Sequence, residues 1–382
     1  MPRFMHFSDT HLGNREYMLA EREDDFYESF RECIDIAINE KVDFIIHSGD
    51  LFDTWGPSNR SLAELKDSLI RVREKNIPVF MVLGDHDRPK RVDYPAARIF
   101  DFLGLHLMGT EDLETHVLED GTLIAGISNM KGSRREKLPD IYSRADSYAR
   151  DHHNSVFISH QGVSGYTHPE DVQIEERMLP SGYSYLAFGH IHISHYRKFP
   201  APFAYAGSTE INSAAEIPAF QKDGKAVNII DLDNGNIEFH RIRLKSPRPQ
   251  FRISTTIENM ESDIERAIER SSQFSKEKKP LIISEVYSSG DYATAFGIVS
   301  KFTDRAMFRR PVIIKESAPA VRIGEHFDRK KLFSDYFRGD EKMADLALDI
   351  FSNVGGEASI DEVSYIMKRI LEGTGKDANK KD

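Results

Sequence analysis

The sequence predicts an α/β fold, and three observations predict it. Short apolar runs recur along the chain, helical stretches separate them, and most of the runs end in Asp, Gly or His. The first three runs, residues 3–7 (RFMHF), 43–48 (DFIIHS) and 78–83 (PVFMVL), are apolar on both faces, as central strands under helices on each side must be. Six more follow at 105–109 (LHLMG), 122–128 (TLIAGIS), 155–160 (SVFISH), 185–189 (YLAFG), 203–207 (FAYAG) and 226–232 (AVNIIDL). Two helices are strongly patterned between them. Over residues 58–75, Leu62, Leu65, Leu69 and Val72 fall at three-and-four spacing; over 94–103, Ala96, Phe100 and Leu103 do the same.

These elements form a first domain over residues 1–245. The segment SPRPQ, with two prolines in quick succession, reads as a linker. A second unit over 250–316 runs strand (FRISTTI), helix (MESDIERAIERSSQF), strand (LIISEVY), helix (TAFGIVSKFTDRA), strand (PVIIKE), the order of a small α/β sandwich. Over 317–382 a polar stretch leads to two short helices, one carrying Met343, Leu346 and Ile350, the other Ile360, Val363, Met367 and Ile370. The second opens on Ser359-Ile360-Asp361-Glu362, a capping box, and the tail GKDANKKD is expected to be disordered.

With 382 residues, two or three domains and a full core are expected, at about 150 residues per domain. A mean hydropathy of −0.48 leaves no apolar stretch long enough to span a bilayer. Cys33 is the single cysteine, which excludes an internal disulfide, and the first residues hold Asp9 and His11 before any leader-like apolar core. A cytoplasmic, nucleoid-associated protein is expected. The formal charge of −11 argues against coating nucleic acid by bulk charge, so a polyanionic substrate must be held by local basic patches or by metal.

The polar residues at the strand ends carry the chemistry. Asp9-Thr10-His11 follows the first run; alone, Asp-x-His is an ordinary turn with a nearby polar histidine. The second run ends in His47-Ser48-Gly49-Asp50-Leu51-Phe52-Asp53, where Gly49 lets the backbone turn and present Asp50 above the strand's carboxyl edge, the edge at which open α/β sheets bind ligands. The third ends in Leu83-Gly84-Asp85-His86-Asp87. His160 ends another run, and His190 and His192 stand at alternate positions after the next. Any one of these is most simply structural. Five in succession gather Asp9, His11, Asp50, Asp85, His160, His190 and His192, a mixture of carboxylates and imidazoles that suits two divalent ions of the manganese, iron or zinc type.

The ordered set D-x-H, GDxxD, GxHD, H and GHxH resembles the calcineurin-like metallophosphoesterases. More closely, SDTHLG, HSGDLFD, SHQG, FGHIH and AGSTE are similar to the archaeal members of the meiotic-recombination-eleven family, nuclease subunits of a double-strand-break repair complex. That resemblance implies a metallophosphoesterase sandwich of two mixed sheets flanked by helices, a small α/β DNA-binding cap and C-terminal helices that bind a partner. It implies two manganese ions: Asp9, His11 and His192 hold one, Asp85, His160 and His190 the other, and Asp50 bridges them. His86 faces the scissile phosphate and Asp87 orients its imidazole. The implied activity is DNA endo- and exonucleolytic hydrolysis at DNA ends, hairpins and single strands. The implied partner is an SMC-like ATPase of the radiation-fifty family, docked on Ile360, Val363, Met367 and Ile370. The stripes at 62–72 and 96–103 fit core faces over the sheet; the resemblance makes them a homodimer bundle through Leu62, Leu65, Leu69 and Phe100.

The sequence departs from the family at Asp85, where the family carries Asn. A carboxylate still ligates metal but adds negative charge beside an anionic substrate, so Asp85→Asn is expected to raise turnover at least about tenfold. Arg88, Lys90 and Arg91 after the third motif, and Lys131, Arg134 and Arg135 in KGSRREK, are candidates to contact DNA phosphates. Trp55 is either a base-stacking residue or a loop anchor. Two other functions remain open on the same scaffold: a phosphomonoesterase or protein phosphatase, and a DNA-tethering protein with a weakly active site.

Overall fold

A computed structural model describes residues 2–89, 94–275, 277–288 and 292–315, with Ser334 and Asp345 beyond them. The chain divides into two compact units, Met1–Lys315 and Glu316–Asp382. Lys90, Arg91 and the candidate partner residues Ile360, Val363, Met367 and Ile370 lie outside the described residues.

The first unit begins with β1 (Arg3–Phe7), β2 (Phe44–His47), β3 (Val79–Val82) and β4 (Leu105–Met108). It continues with β5 (Glu114–Val117), β6 (Leu123–Ile127), β7 (Ser155–His160), β8 (Tyr185–Gly189), β9 (His195–Arg197) and β10 (Phe203–Tyr205), then β11 (Ala226–Asp233) and β12 (Asn236–Arg243). One sheet has the order β12-β11-β1-β2-β3-β4 and a second has β5-β6-β7-β8-β10-β9. In the first, β1 to β4 are parallel and β11 and β12 antiparallel; in the second, β6, β7, β8 and β10 are parallel and the edge strands β5 and β9 antiparallel. Both sheets are therefore mixed, and all nine apolar runs are strands. The three strands without an apolar run escape the sequence reading for a physical reason. β5 is exposed along its length, β9 has only three residues, and β12 alternates exposed with half-buried positions.

The inner faces meet in one core, where Phe4, Phe44, Ile46 and Phe80 pack with Ile124, Val156, Ile158, Tyr185 and Ala187. Helices α1 (Ala20–Asn39) and α2 (Asn59–Arg73) cover the outer face of the first sheet; α3 (Leu138–Ala149) covers the second. A short α4 (Ile217–Asp223) follows the last parallel strand. The Ser58 hydroxyl starts α2 by accepting the Ser61 N–H at 3.1 Å. The second patterned stretch is a 3₁₀ helix, Ala96–Leu103, ended by Gly104 at φ 87°.

This packing corrects the expected homodimer residues. Leu65 and Leu69 are 2% exposed and Phe100 is 6% exposed, all within the core over β1 to β4, with Leu62 packed against it. Leu65, Leu69 and Phe100, already buried against their own sheet, cannot also form a bundle with a second copy, whereas Leu62 is only partly buried. The apolar groups left outward on these segments are Ile70, Ile99 and Phe102.

The expected linker is corrected too. Residues 246–250 are buried, and Arg248 pairs with Asp25 of α1 through Nε–Oδ2 at 2.6 Å and Nη2–Oδ1 at 3.0 Å. Beyond this strap come β13 (Gln250–Thr256), α5 (Met260–Ser271), β14 (Leu281–Ser288), α6 (Tyr292–Ser300), β15 (Met307–Phe308) and β16 (Val312–Lys315). They form a parallel sheet in which β14 pairs β13, β15 and β16, packed against both helices. No helix among the described residues is long and apolar enough to cross a membrane.

Candidate metal centre

Parallel strands send their carboxyl ends the same way, so the residues after β1, β2 and β3 converge with those at the ends of β7 and β8. The loops after β1 and β2 are tied together: Asp9 N–H donates to the Gly49 carbonyl at 2.9 Å and His11 N–H to the Asp50 carbonyl at 3.1 Å. The turns are tight enough to demand unusual backbone. Nine described non-glycine residues have positive φ, and four of them are Asp9 (52°), His11 (43°), Asp50 (54°) and His190 (98°). Strain of this kind collects where side chains must be aimed rather than packed. A Cβ on Gly49 or on Gly84 would run into the His160 imidazole or the Asp50 carboxylate, so both positions require glycine.

All seven candidate ligands come together. Asp9, His11 and His192 each bring a donor atom within 4.8 Å of the other two, as do Asp85, His160 and His190. Asp50 lies between the groups, its Oδ2 3.9 Å from His11 Nε2 and 3.3 Å from His160 Nε2. The His160 and His192 imidazoles are turned so that one nitrogen is held from behind and the other faces inward. His160 Nδ1 donates to the Ser48 carbonyl at 2.8 Å, and His192 Nδ1 meets Glu216 Oε1 at 3.0 Å. His11 Nε2 and His192 Nε2 then face each other at 3.2 Å. His160 Nε2 is buried without an aligned hydrogen bond. Buried lone pairs aimed at one another and at carboxylates suit a cation, and a nitrogen and oxygen donor set without thiolate suits a pair of divalent metal ions.

The charges fit that reading. Burial alone would raise the Asp50 carboxyl, but His160 and His11 hold it below the usual carboxylate range. Asp85 is held low in the same way, against its burial, by His160, His190 and Lys131. His47 and His6 are core histidines instead. His47 bonds Thr10 and His6 bonds Tyr185 and Ser48, and burial pushes both down to about 3, keeping them neutral.

Three sequence expectations change. Asp87 does not orient His86: its carboxylate accepts the backbone N–H groups of Leu51, Phe52 and Gly84 at 3.1, 2.8 and 3.0 Å. It holds the two turns together, and burial with the neighbouring Asp50 pushes it up to about 6. The exposed His86 is oriented by the Asp53 carbonyl, 2.7 Å from its Nδ1. The Arg88 guanidinium is committed within the chain, donating to the Thr110 carbonyl at 2.6 Å and meeting Glu111. Lys131 meets Asp85 Oδ2 at 2.8 Å and so sits at the centre itself, whereas Arg134 and Arg135 stand on the exposed 3₁₀ turn Gly132–Lys137. Trp55 is 46% exposed, which leaves its indole open to a partner.

Sequence reasoning missed three supporting residues. Asp53 Oδ1 lies 3.5 Å from His11 Nδ1, a position the GDxxD spacing contains without assigning it a partner. Glu216 backs His192 and is itself paired with the buried Lys225 at 2.5 Å. Neither Glu216 nor Lys225 belongs to a motif.

Residues 2–194 match the family model described as calcineurin-like phosphoesterase. The chain is 42% identical over 369 residues to the DNA double-strand break repair protein Mre11 of Thermoplasma acidophilum, covering 96% of both chains. It is 33% identical over 292 residues to the protein of that name from Sulfolobus acidocaldarius, covering 74% of both. To that of Methanococcus maripaludis it is 29% identical over 350 residues, covering 89% of this chain and 91% of the relative. A dinuclear centre at the carboxyl edges of two facing sheets thus coincides with likeness along nearly the whole chain, and the chain belongs to the calcineurin-like phosphoesterases and, within them, to the Mre11 family.

Proposed function

We propose that the chain is a manganese-dependent DNA nuclease, both endo- and exonucleolytic, that hydrolyses phosphodiester bonds in double-strand-break repair. The observation that carries this reading is the pair of three-residue donor groups sharing Asp50. Asp9, His11 and His192 are assigned to one ion, Asp85, His160 and His190 to the other, and Asp50 to both. When bound, a pair of divalent ions would supply a nucleophilic water at neutral pH and neutralise charge on the phosphate.

The protein's own residues do the rest. His86 commits Nδ1–H to the Asp53 carbonyl, which leaves Nε2 to carry a proton to the leaving oxygen. Glu216 fixes the His192 ring so that Nε2 stays inward. Arg134 and Arg135, exposed on the turn after β6, are suited to the DNA backbone and fix register without reading sequence. An SMC-like ATPase is the expected partner, docked by the C-terminal residues. A second copy of the chain is expected on the outward face marked by Ile70, Ile99 and Phe102.

The test offers the purified protein, with manganese and then with magnesium, a labelled DNA hairpin and p-nitrophenyl phosphate in parallel. Hairpin cleavage with slow release of nitrophenol is the expected outcome. The reverse preference would make the chain a phosphomonoesterase, and DNA binding without either hydrolysis would make it a tether.

A further inference from the structure

The carboxyl end of β6 adds a residue to the centre that no motif contains. β6 pairs with β7 in parallel, and β7 with β8, so the segment leaving β6 runs beside those that bring His160 and His190. Ser128, Asn129 and Met130 are buried, and Asn129 is fastened twice, its N–H to the Leu83 carbonyl at 2.8 Å and its side chain to the His160 carbonyl at 2.9 Å. Lys131 is the first exposed residue after this fixed run. Its Nζ meets Asp85 Oδ2 at 2.8 Å, while the other oxygen of that carboxylate lies 3.1 Å from His190 Nδ1 and 3.4 Å from His160 Nε2.

An ammonium has three donors. Asp85 takes one, and the Lys131 side chain remains 59% exposed, so the others are open to solvent and to an approaching phosphate. We propose that Lys131, pinned by Asp85, is the cation that receives the non-bridging oxygens of the scissile phosphate. On the nuclease reading given above, on which this inference rests, Asp85 has two tasks divided between its oxygens: Oδ1 serves the metal side and Oδ2 holds the lysine. The negative charge that Asp85 brings to the centre is then matched by a cation at contact distance, so the pair presents a fixed positive head rather than a repulsive carboxylate, and Asp85→Asn, expected from the sequence to raise turnover, should lower it instead.

The test is a double-mutant cycle on the full chain with manganese, using bis(p-nitrophenyl) phosphate and single-stranded DNA. Lys131→Met is expected to lower kcat/KM for both by about tenfold or more, because a charge-assisted contact to the phosphate is lost. Manganese affinity by calorimetry should be unchanged or tighter, since a cation beside Asp85 has been removed. Lys131→Arg should restore most of the activity. In the Asp85→Asn background the lysine is unpinned, and its removal should cost less than about threefold. Wild-type kcat/KM in Lys131→Met overturns the proposal. So does equal loss in both backgrounds, or loss that merely follows weakened manganese binding. A wild-type protein inactive on both substrates with every divalent metal would instead overturn the nuclease reading itself, so the two failures are told apart.

Discussion

A histidine transfers a proton well when one ring nitrogen is committed and the other stands open. His86 meets both conditions, with Nδ1 on the Asp53 carbonyl and the residue exposed at the mouth of the centre. His86→Ala should therefore keep two manganese ions per chain by calorimetry while losing about 10²- to 10⁴-fold in hairpin cleavage. Cleavage retained with metal lost would reverse its role. Glu216 acts one step further out. Glu216→Gln removes the charge behind His192 but keeps its shape, and should weaken manganese binding by about 10- to 100-fold with the fold intact by circular dichroism. At this scale the sequence was legible only where a residue sits in a strand-end motif. Asp9, His11, Asp50, Asp85, His160, His190 and His192 are each announced by the run before them. Lys131 reads from its basic loop only as a DNA contact, Glu216 comes from the segment SAAEIP, which carries no local signal, and Asp87 was misread because the role implied by the resemblance is not the one its carboxylate takes against the backbone.

The strand is the element that converts this sequence into a site. A parallel strand apolar on both faces has to be central, and its carboxyl end then opens on the same edge as its neighbours', which is why the runs at β1, β2, β3, β7 and β8 could be read together with the residues that follow them. Helices carry less information. The stripe of α2 and that of the 3₁₀ helix Ala96–Leu103 fit a core face and an interface equally well by spacing, and only burial separates the two. Leu69→Ala should lower the stability of the chain by about 2–5 kcal/mol in chemical denaturation, as for any buried leucine. Phe102→Glu, on the exposed side, should leave the denaturation midpoint nearly unchanged and abolish any dimer seen by analytical ultracentrifugation. A stable monomer from Leu69→Ala and an unfolded chain from Phe102→Glu would exchange the two faces.

Across the whole molecule, the unit from β13 to β16 is held to the sandwich by buried charge rather than joined by a flexible connection. Arg22 bonds Glu16, Asp25 and the Ile211 carbonyl, while Asp25 also takes Arg248 and Lys278. Burial alone would raise the Asp25 carboxyl, but Arg248, Arg22 and Lys278 hold it below its ordinary value. A depressed carboxyl contributes stability above its unfolded pKa of about 4 and loses it as pH falls through that range. Asp25→Asn should thus cost about 3–5 kcal/mol at neutral pH, because it leaves buried cations unpaired, and the difference from wild type should shrink below about pH 4. Thermal melts of both proteins across pH follow it directly; a difference that grows on acidification would mean that Asp25 is not ionised in the fold. Two prolines made residues 246–250 read as a break, and only the three-dimensional structure reveals that the arginine between them is anchored. The most direct measurement of the central claim is a calorimetric titration of the metal-stripped full chain with manganese. Two ions per chain are expected, falling to one or none in a His160→Ala, His192→Ala double variant; a wild-type stoichiometry of one or zero would contradict a shared dinuclear centre.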